Sequence, residues 1–411
     1  MPPVTAKPDG QRRAIIIGGS MSGLFAGVML RAAGWNADIY EKVEGELSGR
    51  GAGIVAQPEI IAALRALGLE TRDLGVAVER RRMFDARGRM TLETDCAQVM
   101  TAWERVYRIL RDAFPPAHYH RGASFRSVEQ SDDGVTAHFA DGESVTADLL
   151  IGADGIRSSV RAQCAPDSEP LYAGYVAWRA LIAESAISRA THRDIFPYMA
   201  FCLPPGEQML GYPVAGAGND LRPGHLRYNM VWYRPADEHT ELVALLTDDS
   251  GVAHAMSIPP PLIGRESIAS MRAAAERLLA LQFAEIVRLA DQPILQPIFD
   301  LETPRMAFGR VAIIGDAAFV ARPHVGGGVA KAAGDAAALV GALVENADVA
   351  GALRQFEAGR LPEGHRMIAR ARHLGAYLQA ARTAEEAAHS ARHSIPAAVL
   401  DETATLHFLY G

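Results

Sequence analysis

The chain has 411 residues, 49% of them hydrophobic, with 41 basic and 48 acidic side chains and a formal net charge of −7. Because single hydrophobic cores stop growing near about 250–300 residues, a chain of this length can form two domains with a large buried core. The charges form no long basic run, which argues against nucleic acid binding. Three cysteines lie too far apart to suggest a disulfide framework or a metal-binding pair, so a reducing compartment is expected: Cys96, Cys164 and Cys202.

The start of the chain has some features of an export signal. Arg12 and Arg13 precede an apolar stretch from Ala14 to Leu30, as the charged part of a signal precedes its apolar part. The stretch has 17 residues, fewer than the ~20 of a membrane span, and several glycines and serines interrupt it. We therefore expect a cytoplasmic protein without a transmembrane segment.

A βαβ unit with a dinucleotide-binding pattern occupies this same stretch. Ala14–Ile17 is typical of a strand buried on both faces, and the glycine-rich turn from Gly18 to Gly23 leads into a helix. A second strand ends at Glu41, which is placed to bind a ribose hydroxyl of an adenosine. Ser20 replaces the middle glycine of the usual pattern, so the motif is imperfect. The strand, helix and acid in register nevertheless predict a dinucleotide site.

A second strand ends in the same way in the middle of the chain. The apolar residues Leu149–Ile151 lead into Gly-Ala-Asp-Gly with Asp154, and arginines follow at helical spacing as far as Arg161. Such a strand end directs a carboxylate and backbone amides toward the crevice where a parallel sheet binds its ligand.

The segment from Val311 to Gly328 offers a ligand two different groups. A short strand ends in a Gly-Asp corner at Asp316, and after a bend at Pro323 three glycines open an Ala-rich helix. The aspartate can accept hydrogen bonds from ligand hydroxyls, and the helix N-terminus presents unpaired N–H groups. Taken alone, the segment could equally be a structural corner with a capping aspartate; the other motifs favour a ligand site.

Antiparallel strands are predicted between these motifs. Three strand-like pieces between Phe125 and Val145 are separated by Asp-Gly turns and form a small antiparallel insertion. Aromatic residues become frequent from about Tyr172. The strand Arg227–Arg234 places Tyr228, Met230 and Trp232 on one face, which suits either a flat organic substrate or an ordinary core.

Helices are predicted for the remaining segments. Ser267–Leu289 has apolar residues near a 3.6-residue period, and the chain from Gly328 to about Ala381 is helical with a break at Leu361–Gly364. His389 and His393 have the i, i+4 spacing of metal ligands, but no third ligand accompanies them. We expect a solvated helix face there and no metal site.

Together these elements predict an α/β fold. A discontinuous Rossmann-like domain is expected over residues 12–170 and 286–382, with an inserted antiparallel-sheet substrate domain at 171–285 and a C-terminal helical tail at 383–411.

The three motifs, Gly18 to Gly23 with Glu41, Gly152 to Arg161, and Gly315-Asp316, resemble in this order and spacing those of the single-component FAD-dependent aromatic hydroxylases, the p-hydroxybenzoate hydroxylase family. The resemblance extends from about Arg13 to Ala381. Arg322-Pro323-His324 and the segment Gly174–Arg179 are similar to the subgroup that contains the dihydroxypyridine hydroxylases. Phe319 stands where the family commonly has a histidine.

The resemblance implies roles for individual residues in binding FAD. The pyrophosphate would bind at Gly18 to Gly23, Glu41 would bind the adenosine ribose, Asp154 would serve FAD and the pyridine nucleotide, and Asp316 would hold the ribityl chain. The amides of Gly326 to Gly328 would face the pyrimidine edge of the flavin. The complete set of cofactor-binding candidates is Gly18, Gly19, Ser20, Ser22, Gly23, Glu41, Lys42, Arg50, Gly53, Arg108, Asp154, Asp316, Pro323, Gly326, Gly327 and Gly328.

Two arginines among these candidates have a second interpretation. Arg50 lies between glycines that allow close approach to a phosphate or a ring, but it could equally be a solvated loop charge. Arg108 matches a family arginine that contacts FAD, whereas an exposed helix face is the alternative.

The implied reaction is a ring hydroxylation. NADH or NADPH would reduce FAD, O2 would add at the flavin C4a to form a hydroperoxide, and a small hydroxylated N-heteroaromatic ring would accept the distal oxygen. Such a ring reacts well only when its hydroxyl is deprotonated, so a base or hydrogen-bond acceptor is needed. His324 is the candidate because imidazole ordinarily titrates near working pH; a structural histidine is the alternative. Tyr212 and Arg50 are further candidates for contact with substrate or nicotinamide.

The sequence motifs are compatible with other functions. Urate, hydroxynicotinate and hydroxybenzoate are alternative substrates within the same fold, and a non-enzymatic FAD-binding protein is an alternative outside it. A flavin halogenase is disfavoured because its Trp-x-Trp-x-Ile-Pro stretch is absent. The expected partners are a small aromatic substrate and O2, without nucleic acid or membrane, and a homodimer is compatible with the sequence.

Overall fold

The computed structural model describes residues 12–47 and 53–410. Its strands, in chain order, are β1 Arg13–Ile17, β2 Asn36–Glu41, β3 Gly53–Val55, β4 Val76–Phe84, β5 Met90–Ala102, β6 Tyr119–Arg121, β7 Phe125–Gln130, β8 Val135–Phe139, β9 Ser144–Ala147, β10 Leu149–Gly152, β11 Leu171–Ala183, β12 Met199–Cys202, β13 Gln208–Val214, β14 Arg227–Pro235, β15 Ile294–Glu302, β16 Ala307–Phe308, β17 Val311–Ile313 and β18 Phe319–Val320.

The α-helices are α1 Met21–Ala32, α2 Pro58–Ala66, α3 Trp103–Ala113, α4 Ser159–Cys164, α5 Arg189–Ile195, α6 Glu241–Leu245, α7 Arg265–Leu278, α8 Leu281–Arg288, α9 Gly328–Glu345, α10 Val349–Gly375, α11 Ala384–His393 and α12 Pro396–Glu402. Within the described part of the chain, none of them combines the length and apolar character that crossing a membrane requires.

The motif-bearing strands lie side by side in a mainly parallel sheet of order β16-β17-β10-β1-β2-β6. Ile15, Ile16 and Ile17 in β1 are buried without alternation, as expected for a strand covered on both faces. The strands β1, β10 and β17 are adjacent and parallel, so their carboxyl ends bring the three predicted motifs to one edge. The predicted Rossmann-like α/β fold is confirmed. The small antiparallel insertion, β7-β8-β9, also forms.

A second sheet of nine strands has the order β18-β15-β11-β14-β13-β12-β4-β5-β3. One of its faces packs against α7 and α8 in a hydrophobic core, and the other turns toward the parallel sheet and the C-terminal helices. The sheet also contains β3, β4 and β5, which come from residues 53–102, before the β11 strand that begins at Leu171. The predicted domain boundaries at 170, 285 and 382 stay predictions.

Two helix boundaries differ from the sequence-based predictions. The predicted break at Leu361–Gly364 is wrong, because α10 continues through Pro362. Buried residues on both sides of the proline, among them Phe356 and Met367, anchor this helix to the core and outweigh the lost hydrogen bond. The helical region is instead interrupted at 346–348, where the Asp348 carboxylate caps α10. The single helix predicted from Ser267 to Leu289 is two helices, separated at 279–280.

Candidate active site

A cavity of about 790 Å³ lies between the carboxyl edge of the parallel sheet and the open face of the nine-stranded sheet. Its main lining comes from five places in the chain: the N-terminus of α1, the loop after β10, the open face of the nine-stranded sheet, the segment from Asp316 to Val329, and Thr403 with Ala404 near the C-terminus. Trp103 and residues 256–258 complete the wall. Three of these are motifs predicted from the sequence. The arrangement is of the size and composition of a small-molecule site.

The N-terminus of α1 opens into the cavity through Ser20, Met21 and Ser22. Gly18 has φ +104°, and a Cβ there would lie 2.4 Å from the carbonyl oxygen of Ala153, so only glycine allows β1 and β10 to approach in this way. The Ser20 side chain does not cap the helix. Its first N–H groups therefore remain available to an anionic group.

Glu41 lies beside this turn and is buried. Its Oε2 accepts a hydrogen bond from the Gly19 N–H at 2.8 Å, and its Oε1 accepts one from the Val43 N–H at 3.0 Å. The structure thus brings Glu41 to the glycine turn, whereas its neighbour Lys42 is exposed. Arg50 lies outside the described residues.

Asp154 and Arg161 hold the loop after β10. The Asp154 carboxylate accepts hydrogen bonds from the Ser158 hydroxyl at 2.5 Å and from the Ser159 N–H at 2.7 Å. Arg161 donates to the carbonyl oxygens of Ile156, at 2.6 Å, and Ala317, at 3.1 Å. Asp154 therefore stabilises the start of α4, and Arg161 links this loop to the Gly-Asp corner. Neither residue lines the cavity.

Asp316 lines the cavity, and its carboxylate is open to it. Protein nevertheless surrounds the side chain, and the resulting desolvation raises the pKa of Asp316. Gly315, with φ +61°, makes the corner possible, because a Cβ there would lie 1.9 Å from the Ser22 hydroxyl oxygen. No group among the described residues donates a hydrogen bond to this carboxylate, so it is free to accept bonds from ligand hydroxyls.

The glycine loop, Pro323 to Gly328, forms the next part of the wall. Gly326 has φ +61°, which a β-branched or bulky residue would not tolerate. A Cβ at Gly328 would meet nothing within 4 Å, so this start of α9 faces open space. The N–H groups of the first turn of α9 have no side-chain cap and can bind an electron-rich group.

His324 lines the cavity and is only 2% exposed. Its Nε2 forms a 2.8 Å hydrogen bond with the Tyr175 hydroxyl, whereas its Nδ1 has no partner. Burial, with a smaller contribution from the positive charge of Arg322, lowers the pKa of His324 to about 3. The expectation that this imidazole titrates near working pH is therefore wrong. It is a neutral hydrogen-bonding group, and Gly375 leaves room for the pair, since a Cβ there would lie 3.0 Å from His324 Cδ2 and 2.6 Å from the Tyr175 oxygen.

The nine-stranded sheet contributes Arg179, Tyr212 and Tyr233 to the cavity. Arg179 donates hydrogen bonds to Gln296 Oε1 at 2.9 Å and, with a long contact of 3.4 Å, to the Gly53 carbonyl oxygen. It forms no ion pair with a described acidic residue. Burial raises the pKa of Tyr212 to about 12, so its hydroxyl stays protonated.

The aromatic face predicted on β14 is core. Tyr228, Met230 and Trp232 pack with the hydrophobic cluster that includes α7 and α8. The opposite face, with Val231 and Tyr233, lines the cavity. This face of β14 is completely covered, since Tyr228, Met230 and Trp232 are fully buried.

Arg108 is not among the cavity-lining residues. It forms an i, i+4 ion pair with Glu104, with an N–O distance of 2.7 Å, and its side chain is 58% exposed. Arg108 therefore lies on a solvated helix face, which was the alternative to contact with FAD. The residue of α3 that does reach the cavity is Trp103.

Several cavity residues had not been singled out from the sequence. Arg179 belongs to the segment Gly174–Arg179, and the alternation of side chains along a strand predicts that Tyr175 and Arg179 lie on the same face. Thr403 and Ala404 carried no such pattern, because their place depends on how the C-terminal tail packs.

Comparison with known proteins identifies the family. A family model described as FAD binding domain matches residues 11–202, and one described as FAD binding domain-like matches residues 172–300. The chain is 32% identical to a 2,6-dihydroxypyridine 3-monooxygenase of Paenarthrobacter nicotinovorans, over 89% of this chain and 91% of the relative. It belongs to the FAD-dependent aromatic hydroxylases.

Other relatives of the hydroxylase agree with this assignment. The structure of 2,6-dihydroxypyridine-3-hydroxylase from Arthrobacter nicotinovorans has a TM-score of 0.85 and 31% identity, covering 91% of this chain and 94% of that one. An FAD-dependent urate hydroxylase of Klebsiella pneumoniae is 26% identical over 88% of each chain. The hydroxylase is thus an FAD-dependent aromatic-ring monooxygenase with NADH or NADPH as co-substrate, and the non-enzymatic alternative is not retained.

The described residues fit FAD. The uncapped N-terminus of α1 suits a pyrophosphate, and the unpartnered carboxylate of Asp316 suits a hydroxylated chain between the two ends of the cofactor. Gly328 leaves open space where a flat ring system can approach the start of α9.

Proposed function

We propose that the hydroxylase acts on a small hydroxylated N-heteroaromatic ring of the dihydroxypyridine type. The observation that carries the proposal is the buried, neutral imidazole of His324, whose Nδ1 lacks a partner and whose ring lines the cavity. A substrate with an oxygen or nitrogen at that point would complete the hydrogen bonding of an otherwise unsatisfied buried group. The 32% identity to a dihydroxypyridine monooxygenase supports the same class.

Arg179 supports binding of the ring as an anion. A hydroxypyridine becomes electron-rich enough to accept oxygen when its hydroxyl loses a proton, so the site must favour the charged form. The guanidinium of Arg179 is half-buried in the cavity wall and has no acidic partner among the described residues. A deprotonated ring oxygen would supply that partner.

His324 would orient the ring rather than ionise it. With a pKa of about 3, its imidazole is too weak a base to hold a proton at neutral pH. The Tyr175 hydroxyl, kept protonated because burial raises the pKa of Tyr175 well above its usual value, fixes the imidazole from the other side. In this proposal Arg179 stabilises the anionic form of the ring, and His324 orients the ring.

The remaining motif residues would hold the cofactor. The N–H groups at Ser20 to Gly23 would bind the pyrophosphate, Glu41 the adenosine ribose and Asp316 the ribityl chain. The amides of Gly326 to Gly328 would hydrogen-bond the flavin ring. Bound FAD would supply electron transfer from NAD(P)H and activation of O2.

Urate hydroxylation is the second candidate, favoured by the 26% identity to a urate hydroxylase. A panel of 2,6-dihydroxypyridine, 6-hydroxynicotinate, urate and 4-hydroxybenzoate separates the candidates. For each ring, NADH and NADPH oxidation and a product one oxygen atom heavier are both recorded, because oxidation without product is uncoupled turnover. We expect the dihydroxypyridine to give the highest yield of product. A larger yield from urate or hydroxybenzoate would overturn the substrate assignment.

A cytoplasmic location and a homodimer stay predictions. Light scattering of the FAD-loaded protein tests the dimer directly.

A further inference from the structure

The C-terminal tail, residues 383–410, contacts the loop that carries His324 through Ala404. Its helices α11 and α12 lead to Thr403 and Ala404, which line the cavity. Both residues are almost completely buried, at 7% and 5% exposure. The tail is thus part of the wall of the site.

Hydrogen bonds to the backbone of Ala404 fix this part of the tail. The Ala404 N–H donates to the His324 carbonyl oxygen at 2.6 Å, and the Ala404 carbonyl oxygen accepts from the side-chain amides of Gln57 at 3.0 Å and Gln98 at 2.9 Å. Ala404 has φ +55°, a conformation that a residue other than glycine rarely adopts. Gly326 is closely packed against it, because a Cβ at Gly326 would lie 2.8 Å from the Ala404 Cβ.

A second set of contacts attaches the beginning of the tail to the same loop. Arg322 donates a hydrogen bond to Gln379 Oε1 at 2.9 Å, and the amide of Gln379 donates to Glu386 Oε1 in α11 at 3.0 Å. At the other end of the helix pair, His393 Nδ1 lies 2.5 Å from Glu402 Oε2. The start of the tail and Ala404 are therefore both held against the loop, and the His393–Glu402 contact joins α11 to the end of α12.

Thr403 lines the cavity, and no described group hydrogen-bonds its hydroxyl. A hydroxyl can both donate and accept a hydrogen bond, which suits a ring whose oxygens and ring nitrogen change protonation together. We propose that Thr403 is a specificity-determining residue that hydrogen-bonds the ring substrate, and that Ala404 is the positioning residue that holds it there. This inference rests on the proposed function, because it assigns a further contact in the same cavity.

The Thr403 contact is tested with an isosteric pair. Thr403→Val removes the hydroxyl and keeps the shape, whereas Thr403→Ser keeps the hydroxyl. We expect Thr403→Val to raise the Kd for 2,6-dihydroxypyridine at least fivefold, the effect of about one hydrogen bond, and Thr403→Ser to stay within about twofold of wild type. The measurement is titration of the flavin absorbance of the FAD-loaded protein. An unchanged Kd in Thr403→Val would overturn the contact.

The role of Ala404 in holding the tail against the cavity is tested without a substrate. Ala404→Pro removes the N–H donor and cannot adopt φ +55°, whereas Ala404→Gly keeps the donor and adopts that φ more easily. We expect iodide to quench the fluorescence of bound flavin several-fold more strongly in Ala404→Pro, and no more strongly than wild type in Ala404→Gly. Equal quenching in all three proteins would overturn the positioning role. If wild type binds none of the four rings of the panel, the proposed function fails, while the iodide result still decides whether the tail closes the cavity.

Discussion

Replacing His324 by glutamine removes the unpartnered Nδ1 but leaves an amide near the position of Nε2. The Tyr175 hydroxyl, now 2.8 Å from Nε2, keeps a hydrogen-bonding partner, so the change isolates the contact with the ring. A hydrogen bond to a charged group contributes about 1.5–3 kcal/mol, and each 1.4 kcal/mol is a factor of about ten, so kcat/KM should fall about 10- to 150-fold. FAD content should not change.

The assay measures hydroxylated product and hydrogen peroxide together with NAD(P)H loss. We expect less product and more peroxide per NAD(P)H in His324→Gln, because a poorly oriented ring no longer competes with uncoupled turnover. Tyr175→Phe is the control, since it leaves Nδ1 in place and removes only the group that orients it. It should cost about 0.5–1.5 kcal/mol, or about two- to tenfold. Wild-type kcat/KM and coupling in His324→Gln would refute the role of this imidazole.

Three further predictions test the electrostatics of the site. Arg179→Met should weaken binding of the anionic ring about tenfold, because a charge-assisted hydrogen bond is lost at a half-buried position. Titrations at several pH values should show the loss only where the ring is ionised. An equal loss for the neutral ring would contradict the role of Arg179. Asp316→Asn should raise the Kd for FAD about 10- to 100-fold. The apoprotein should nevertheless unfold in urea no more easily at pH 7, because desolvation already disfavours the charged carboxylate. A clear loss of apoprotein stability would instead show that the carboxylate is structural. The neutral His324 should make stability sensitive to acid, because the pKa of its imidazole is about 3 in the folded protein and ordinarily 6.5. As the pH falls, the unfolded chain therefore binds the proton first, and about 2 kcal/mol of the free energy of unfolding is lost between pH 7 and pH 5. Urea unfolding of His324→Gln should not show this loss.

The sequence contained most of the information on the cofactor side of the site. Buried strands that end in Asp154 and Asp316 are recognisable because parallel strands bring their carboxyl ends to one edge. The glycines of both loops were recognisable because a side chain would collide with neighbouring backbone, as at Gly18.

The substrate side was less predictable. Arg108 matched a family position but pairs with Glu104 on the surface, since helical spacing alone does not reveal which face is covered. The pKa of His324 depends on burial by chain segments that are distant in sequence, so its protonation state could not be read locally. The place of Thr403 depends on the hydrogen bonds of Ala404 to residues more than 75 positions away. No local pattern encodes such contacts.

The most direct test of the central claim is turnover of 2,6-dihydroxypyridine under isotopically labelled O2. We predict a product that carries one labelled oxygen atom, formed in proportion to the NAD(P)H oxidised, with little hydrogen peroxide. NAD(P)H oxidation that yields only labelled peroxide, while another ring of the panel gains the labelled oxygen, would contradict the proposed substrate class.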